Sequence, residues 1–176
     1  MIDFIDEVWL VPCGDFRDDK KLKASAQQRV DMLLYLKQDI LGESFPHIII
    51  CDYELRNGKF LPTYDLLVGL KQSYPDCEFY MCIGADLIDG MKYWDDGEKL
   101  KNENKFIVMK RDGFNYDEKE LPNETVILNT NIYGSSTSIR NRIENGNNHN
   151  SLKKFNIYGL TSKSCIKYMI THKLYQ

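Results

Sequence analysis

Gly134-Ser135-Ser136-Thr137-Ser138-Ile139-Arg140, continuing as Asn141-Arg142-Ile143, is the stretch from which the rest of the chain is best read. A run of hydroxyl residues after a glycine predicts a helix start, because side-chain oxygens accept the first-turn N–H groups that have no intrahelical partner. Ile139 and Ile143 are four apart and set one apolar face inward. The first turn then offers free N–H groups, hydroxyls and the positive end of the peptide dipole, and Arg140 adds a planar, multidentate donor. Such a set suits an anion, above all phosphate. The competing reading is a capped surface helix that keeps its arginines for solubility.

The segments upstream favour phosphate. Glu7 to Val11 (EVWLV), closed by Pro12, reads as a buried strand, and Ile48-Ile49-Ile50-Cys51 as a second. Phe79 to Ile83, Lys105 to Lys110 and Thr125 to Leu128 read as three more. Helices are predicted from about Ser25 to Lys37, with Ala26, Val30, Leu33 and Leu34 on one stripe, from Thr63 or Tyr64 to Gln72, and from about Thr161 to His172. Unbroken apolar strands alternating with amphipathic helices predict an α/β fold, a Rossmann-like parallel sheet with helices on both faces. The strands are followed by Asp15 and Lys20, Asp52, Asp86, Lys110-Arg111 and the Ser135 to Arg140 block. In such a sheet these loops share the carboxyl edge, where ligands bind.

Composition sets bounds. A chain of 176 residues predicts one domain. With 23 basic and 26 acidic side chains the net charge is −3, which argues against a nucleic-acid partner but leaves room for a local basic pocket. The five cysteines include no C-x-x-C pair and read as reduced thiols of a cytoplasmic protein. No apolar run predicts a membrane span, and Met1 to Leu10 lacks the basic region of a secretory signal. Asn145-Gly146-Asn147-Asn148-His149-Asn150 reads as a low-complexity insert. Lys99, Lys101, Lys105 and Glu98 read as a solvated face, and His47, His149 and His172 as structural or exposed.

Asp6-Glu7-Val8-Trp9-x-Val11-Pro12, Arg29-Val30-x-Met32-Leu33, Ile83-Gly84-Ala85-Asp86 with Trp94 eight residues on, Lys110-Arg111 and Ser135-Ser136-Thr137-x-Ile139-Arg140 together resemble the nicotinate/nicotinamide mononucleotide adenylyltransferases. Tyr168-Met169-x-x-His172-x-Leu174-Tyr175 is similar to that family's last helix. The resemblance implies a nucleotidylyltransferase-type fold. It also implies adenylyl transfer from ATP to nicotinate or nicotinamide mononucleotide, giving deamido-NAD or NAD and pyrophosphate.

Carried over by position, the resemblance assigns Ser136, Thr137 and Arg140 to ATP phosphates, with Lys20 or Lys21 joining them from the loop after the first strand. Lys20 and Arg140 would be the catalytic cations. Gly84 and Asp86 would meet the nucleotide ribose, Trp94 would stack on the pyridine ring, Thr63 and Tyr64 would lie near that ring, and Arg111 would meet the mononucleotide. Asp65 stands where the family has a threonine. Direct in-line transfer needs positioning and charge neutralisation rather than a nucleophile. Mg²⁺ is expected to be held mainly by the triphosphate, with no protein metal cage. A homo-oligomer is compatible with the sequence.

The family opens with a strand and a Gly-x-Phe-x-Pro-x-His-x-x-His loop ahead of its DEVW segment, whereas here that segment starts six residues into the chain. The expectation is an N-terminally truncated version, with the missing strand lying between Glu7–Val11 and Phe79–Ile83. Two other readings are transfer to another phosphorylated acceptor such as pantetheine phosphate, and a non-catalytic nucleotide-binding protein.

Overall fold

A computed structural model describes residues 4–16, 22–41, 47–110, 113, 115–129, 135–146 and 157–175. Within it the chain forms two compact units, Met1–Phe60 with Gly134–Gln176, and Leu61–Tyr133.

In the first unit β1 (Val8–Leu10) pairs in parallel with β2 (Ile48–Ile50), Leu10 lying opposite Ile50. Between them runs α1 (Ala26–Leu36), opened by a capping box. Ser25 accepts from the Gln28 amide, and the Gln28 side chain accepts from the Ser25 amide. A π-helical turn, Lys37–Leu41, extends it. The short helix α2 (Tyr53–Asn57) follows β2 and ends at Gly58, whose φ of 64° suits glycine. The core of this unit is Ala24, Ile157, Cys165, Ile166, Met169 and Leu174, with Ile139 and Ile143 of α5 (Ser136–Gly146) packed on it as their spacing implied. Cys165, Ile166 and Met169 of that core come from α6 (Lys163–Thr171), which is capped by Ser162 and also by Asp39, whose carboxylate accepts from the Ser164 amide and hydroxyl at 2.7 and 2.9 Å.

Of the stripe expected on α1, Ala26, Val30 and Leu33 are partly buried, and Leu34 is the correction. Leu34 is 51% exposed, and Met32 is the residue that packs on the core. The helix meets α6 through Asp31, which accepts from the Tyr168 hydroxyl at 2.6 Å, and through Tyr35, whose ring lies 5.5 Å from that of Tyr168. A polar anchor and an aromatic pair thus hold α1 against α6.

In the second unit β3 (Tyr80–Gly84), β4 (Lys105–Met109) and β5 (Glu124–Leu128) form a parallel sheet in that order. Strand β4 is central and buries Phe106, Ile107 and Val108, as an unbroken apolar run predicts. The others are less covered, Cys82 of β3 being exposed and Ile127 of β5 39% exposed. Helix α3 (Thr63–Ser73) precedes the sheet. A 3₁₀ segment, Ala85–Tyr93, and α4 (Gly97–Glu103) connect β3 to β4. Ile88, Met91, Leu100, Phe106 and Val108 are fully buried. Each such side chain contributes about 1.5–3 kcal/mol relative to exposure.

The strands are parallel with helical connections, as expected, and among the described residues they form two ladders rather than one. Helix α5 extends through Asn145 and Gly146, the first residues of the expected insert, and the remainder, His149 included, lies outside the described residues. The cysteines are free thiols. No helix among the described residues is long and apolar enough to cross a membrane.

Candidate functional site

In the first unit the start of α5 carries the residues expected to meet an anion. Ser135 Oγ accepts from the Ser138 amide at 3.1 Å and so acts as the helix cap. That cap leaves the neighbouring hydroxyls of Ser136 and Thr137, both exposed, at the open first turn. The Arg140 guanidinium is half-buried and donates to Thr137 Oγ1 at 3.0 Å, which holds it against the same turn. Gly134, Lys20 and Lys21 lie outside the described residues.

Lys23, in the stretch between β1 and α1, is ion-paired with Glu144 of α5, so the two segments are tied within this unit. The base of the loop is more firmly made. Arg29, its side chain 15% exposed, donates to the carbonyls of Cys13 at 2.5 Å, Gly14 at 2.9 Å and Ala24. Glu54, 4% exposed, accepts from the Gly14 amide at 3.0 Å. The Gly14 peptide is therefore gripped by a cation from α1 on one side and a carboxylate from α2 on the other. Asp15 adds an ion pair to Arg29 at 3.3 Å and accepts from the Ala26 amide. Sequence reasoning placed Arg29 in a motif without a role and missed Glu54. A buried glutamate beside Asp52 gives no local signal, because its partner is 40 residues away.

In the second unit the parallel register brings the carboxyl ends of the three strands level, Gly84 beside Met109 and Met109 beside Leu128. Asp86, exposed, opens the 3₁₀ segment directly after Gly84, and Lys110 follows β4 with its amide bonded to the Leu128 carbonyl at 3.0 Å. Asp86 and Lys110 thus follow the ends of two adjacent strands, as expected of a ligand edge. Arg111 is outside the described residues.

Trp94 is partly buried and packs against the core that includes Met91 and Leu100. Thr63 and Tyr64 open α3 after Pro62, with Asp65 exposed in the same turn, where a carboxylate complements the helix dipole. The Tyr64 hydroxyl donates to Glu103 at 2.6 Å, and this bond, aided by burial, raises its pKa above the usual phenol value. Its ring carries Lys99 Nζ at 5.7 Å from the centroid.

The solvated face expected at residues 98–105 is corrected in part. Lys101 is 7% exposed and paired with Glu120 at 3.0 Å, and Lys105 bonds Glu78 at 2.6 Å. Of the histidines, His172 stacks on Tyr168 at 4.2 Å, a structural contact at the end of α6. Among the described residues no group of three His, Cys, Asp or Glu is placed to hold a metal ion.

A family model described as cytidylyltransferase-like matches residues 2–142. Similar proteins include a probable nicotinate-nucleotide adenylyltransferase of Bacteroides fragilis, 31% identical over 145 residues, which are 81% of this chain and 69% of that protein. Another is the corresponding Bacillus licheniformis protein, 33% identical over 143 residues, 80% of this chain and 71% of that one. Among solved structures, the Plasmodium falciparum nicotinic acid mononucleotide adenylyltransferase complexed with NaAD is similar with a TM-score of 0.82 and 30% identity, across 99% of this chain and 84% of that one.

Proposed function

This chain belongs to the cytidylyltransferase-like family and, within it, to the relatives of the nicotinate-nucleotide adenylyltransferases, and from that premise we propose that it transfers the adenylyl group of ATP to nicotinate mononucleotide. The observation that carries the reading is its likeness, over nearly the whole chain, to an enzyme of that activity held with the dinucleotide. The products are the dinucleotide deamido-NAD and pyrophosphate.

A phosphate oxygen of the mononucleotide attacks the α-phosphorus of ATP. The bond from that phosphorus to the bridging oxygen breaks, and pyrophosphate leaves with the bonding electrons. No covalent intermediate with the protein is needed, so the residues work by orientation and by offsetting charge. Arg140, Ser136, Thr137 and the first turn of α5 hold the triphosphate, a role supported by the Ser135 cap and by the contact of Arg140 with Thr137. Lys20 and Lys21 add cationic charge from the loop after β1, and Lys20 with Arg140 offsets the charge that builds up as pyrophosphate departs. Gly84 lets a ribose approach the backbone and Asp86 accepts from its hydroxyls. Trp94, Thr63 and Tyr64 receive the pyridine ring, and Arg111 meets the mononucleotide phosphate. Mg²⁺ enters on the triphosphate as part of the substrate. The proposed location is the cytoplasm, a reading supported by substrates that are soluble nucleotides.

The test is incubation with ATP, Mg²⁺ and one acceptor at a time, followed for pyrophosphate. Nicotinate mononucleotide should give the fastest release, nicotinamide mononucleotide slower release, and pantetheine phosphate none. Release that is fastest with pantetheine phosphate overturns the acceptor. ATP binding without release for any acceptor identifies a nucleotide-binding protein instead.

A further inference from the structure

The backbone of Trp94 is pinned at both of its polar groups. Its amide donates to the carbonyl of Met91, a residue with no exposed surface, at 3.0 Å. Its carbonyl accepts from the amide of Gly97 at 2.9 Å. The intervening turn closes only with two unusual backbones. Asp96 has φ 51° and ψ 31°, in the left-handed region that ordinary side chains avoid and that aspartate tolerates better than most. Gly97 is buried, and a Cβ at that position would lie 2.1 Å from the Met91 carbonyl oxygen, the same oxygen that accepts from Trp94. Only glycine fits there without moving main chain on both sides.

The turn also reaches Tyr64 of the same unit. The Asp96 carboxylate pairs with Lys99 at 2.7 Å, Lys99 lies 5.7 Å over the Tyr64 ring, and the Tyr64 hydroxyl is bonded to Glu103 at the far end of α4. The Asp96 carbonyl accepts from the Leu100 amide at 2.8 Å, locking the turn to a fully buried side chain. A surface loop with no demand on its geometry gains nothing from a left-handed aspartate beside a glycine that excludes every other residue. Backbone strain of this kind persists where the surroundings over-determine a conformation.

We infer that Asp96 and Gly97 are positioning residues for Trp94: the closed turn from Met91 to Gly97 fixes the direction in which the indole leaves the backbone and so sets the fit of the mononucleotide ring. The inference rests on the proposed role of Trp94 as the pyridine-stacking residue.

The experiment uses the full chain with Trp9→Phe, leaving Trp94 as the one indole. Three substitutions at Asp96 separate turn geometry from side-chain chemistry. Asp96→Gly and Asp96→Asn accept a positive φ, and Asp96→Val resists it. The expected result is that Gly and Asn keep the Trp94 emission maximum, its accessibility to acrylamide and the KM for nicotinate mononucleotide within about twofold. Val should shift the emission and raise that KM ~10-fold, with the KM for ATP unchanged, as a misplaced positioning group does. Gly97→Ala should match or exceed Val, and if it does not fold, Asp96→Val, at a half-exposed site, decides. A folded Asp96→Val protein with wild-type emission and wild-type mononucleotide KM overturns the inference, as does a shifted emission with KM unchanged in active protein. If the parent makes no pyrophosphate and mononucleotide does not quench Trp94, the proposed function has failed. Emission and acrylamide quenching across the same variants then still decide whether the turn aims the indole.

Discussion

Thr137 Oγ1 accepts from the guanidinium of Arg140 at 3.0 Å, one turn further along α5. The contact draws a flexible cation back over the open end of the helix, where first-turn amides are free of intrahelical partners. A phosphate arriving there meets hydroxyls, amides and a fork of donors already in place. Arg140→Ala should therefore weaken ATP binding and slow turnover, together worth about 2–5 kcal/mol. Arg140→Lys should recover only part, since an ammonium lacks the planar fork. Isothermal titration with ATP and steady-state kinetics check both, and unchanged ATP affinity in folded Arg140→Ala would remove α5 from the phosphate site.

The grip on Gly14 makes a second expectation. Arg29 satisfies three backbone carbonyls in a part-buried place, and Glu54 satisfies the one amide between them. Glu54→Gln keeps an acceptor for the Gly14 amide and should change stability by less than ~1 kcal/mol. Glu54→Ala leaves that amide without a partner and should cost about 1–3 kcal/mol. Chemical denaturation measures the difference. Equal losses for the two variants would mean that the carboxylate charge, not the hydrogen bond, is what the site uses.

The joint between α1 and α6 sets a pH window. The Tyr168 hydroxyl, then the Gln27 amide, holds the Asp31 carboxyl below its usual 3.8, with burial opposing. The same bond, aided by burial, pushes Tyr168 from 10.0 up to about 12. A lowered carboxyl pKa contributes stability that is present above the ordinary value and disappears as acid protonates the folded form. A raised phenol pKa contributes stability that is complete below 10.0 and disappears as pH climbs through about 12. The contribution of this pair to the melting temperature should therefore be flat between these limits and fall on both sides. In Tyr168→Phe both flanks should be shallower. An alkaline flank as steep as the parent's would assign that loss to another group.

Much of the fold can be read locally. Ser25 with Gln28 marks the start of α1, Phe106-Ile107-Val108 marks a strand covered on both faces, and Ile139 with Ile143 marks the inner side of α5. The hydroxyl block at the start of α5 and the Gly84–Asp86 turn stand at the ends of elements because their residue types serve caps and turns. What stayed hidden depends on distant partners. Asp31 finds Tyr168 137 residues on, and Lys101 finds Glu120 19 residues on. Neither side chain differs locally from a solvated one. The segment Ala85–Tyr93 buries Ala85, Ile88 and Met91 at a spacing of three, which a 3₁₀ helix presents on one side, and the sequence reading assigns it no element.

Lys101 supplies the last expectation, because its charge stands where an apolar side chain would ordinarily be. The residue is 7% exposed, and its ammonium meets Glu120 at 3.0 Å and, more loosely, Glu98 at 3.7 Å. Lys92 also reaches Glu120 at 3.3 Å, but from a position 39% exposed. The two lysines hold the Glu120 carboxyl below its usual pKa, Lys101 foremost. Water can take over from Glu120 at Lys92, so that outer pair contributes little. At Lys101 it cannot, and loss of the carboxylate strands a buried cation. Glu120→Ala should therefore lower the melting temperature by about 5 °C or more, and Lys92→Ala by no more than ~2 °C. Lys101→Met should restore much of the loss in the Glu120→Ala background, since an unbranched apolar chain fills the same space without a charge to satisfy. Thermal melts of the two single variants and the double variant decide it. If the double variant melts no higher than Glu120→Ala alone, the carboxylate serves the Glu118–Glu120 turn itself, and not the buried lysine.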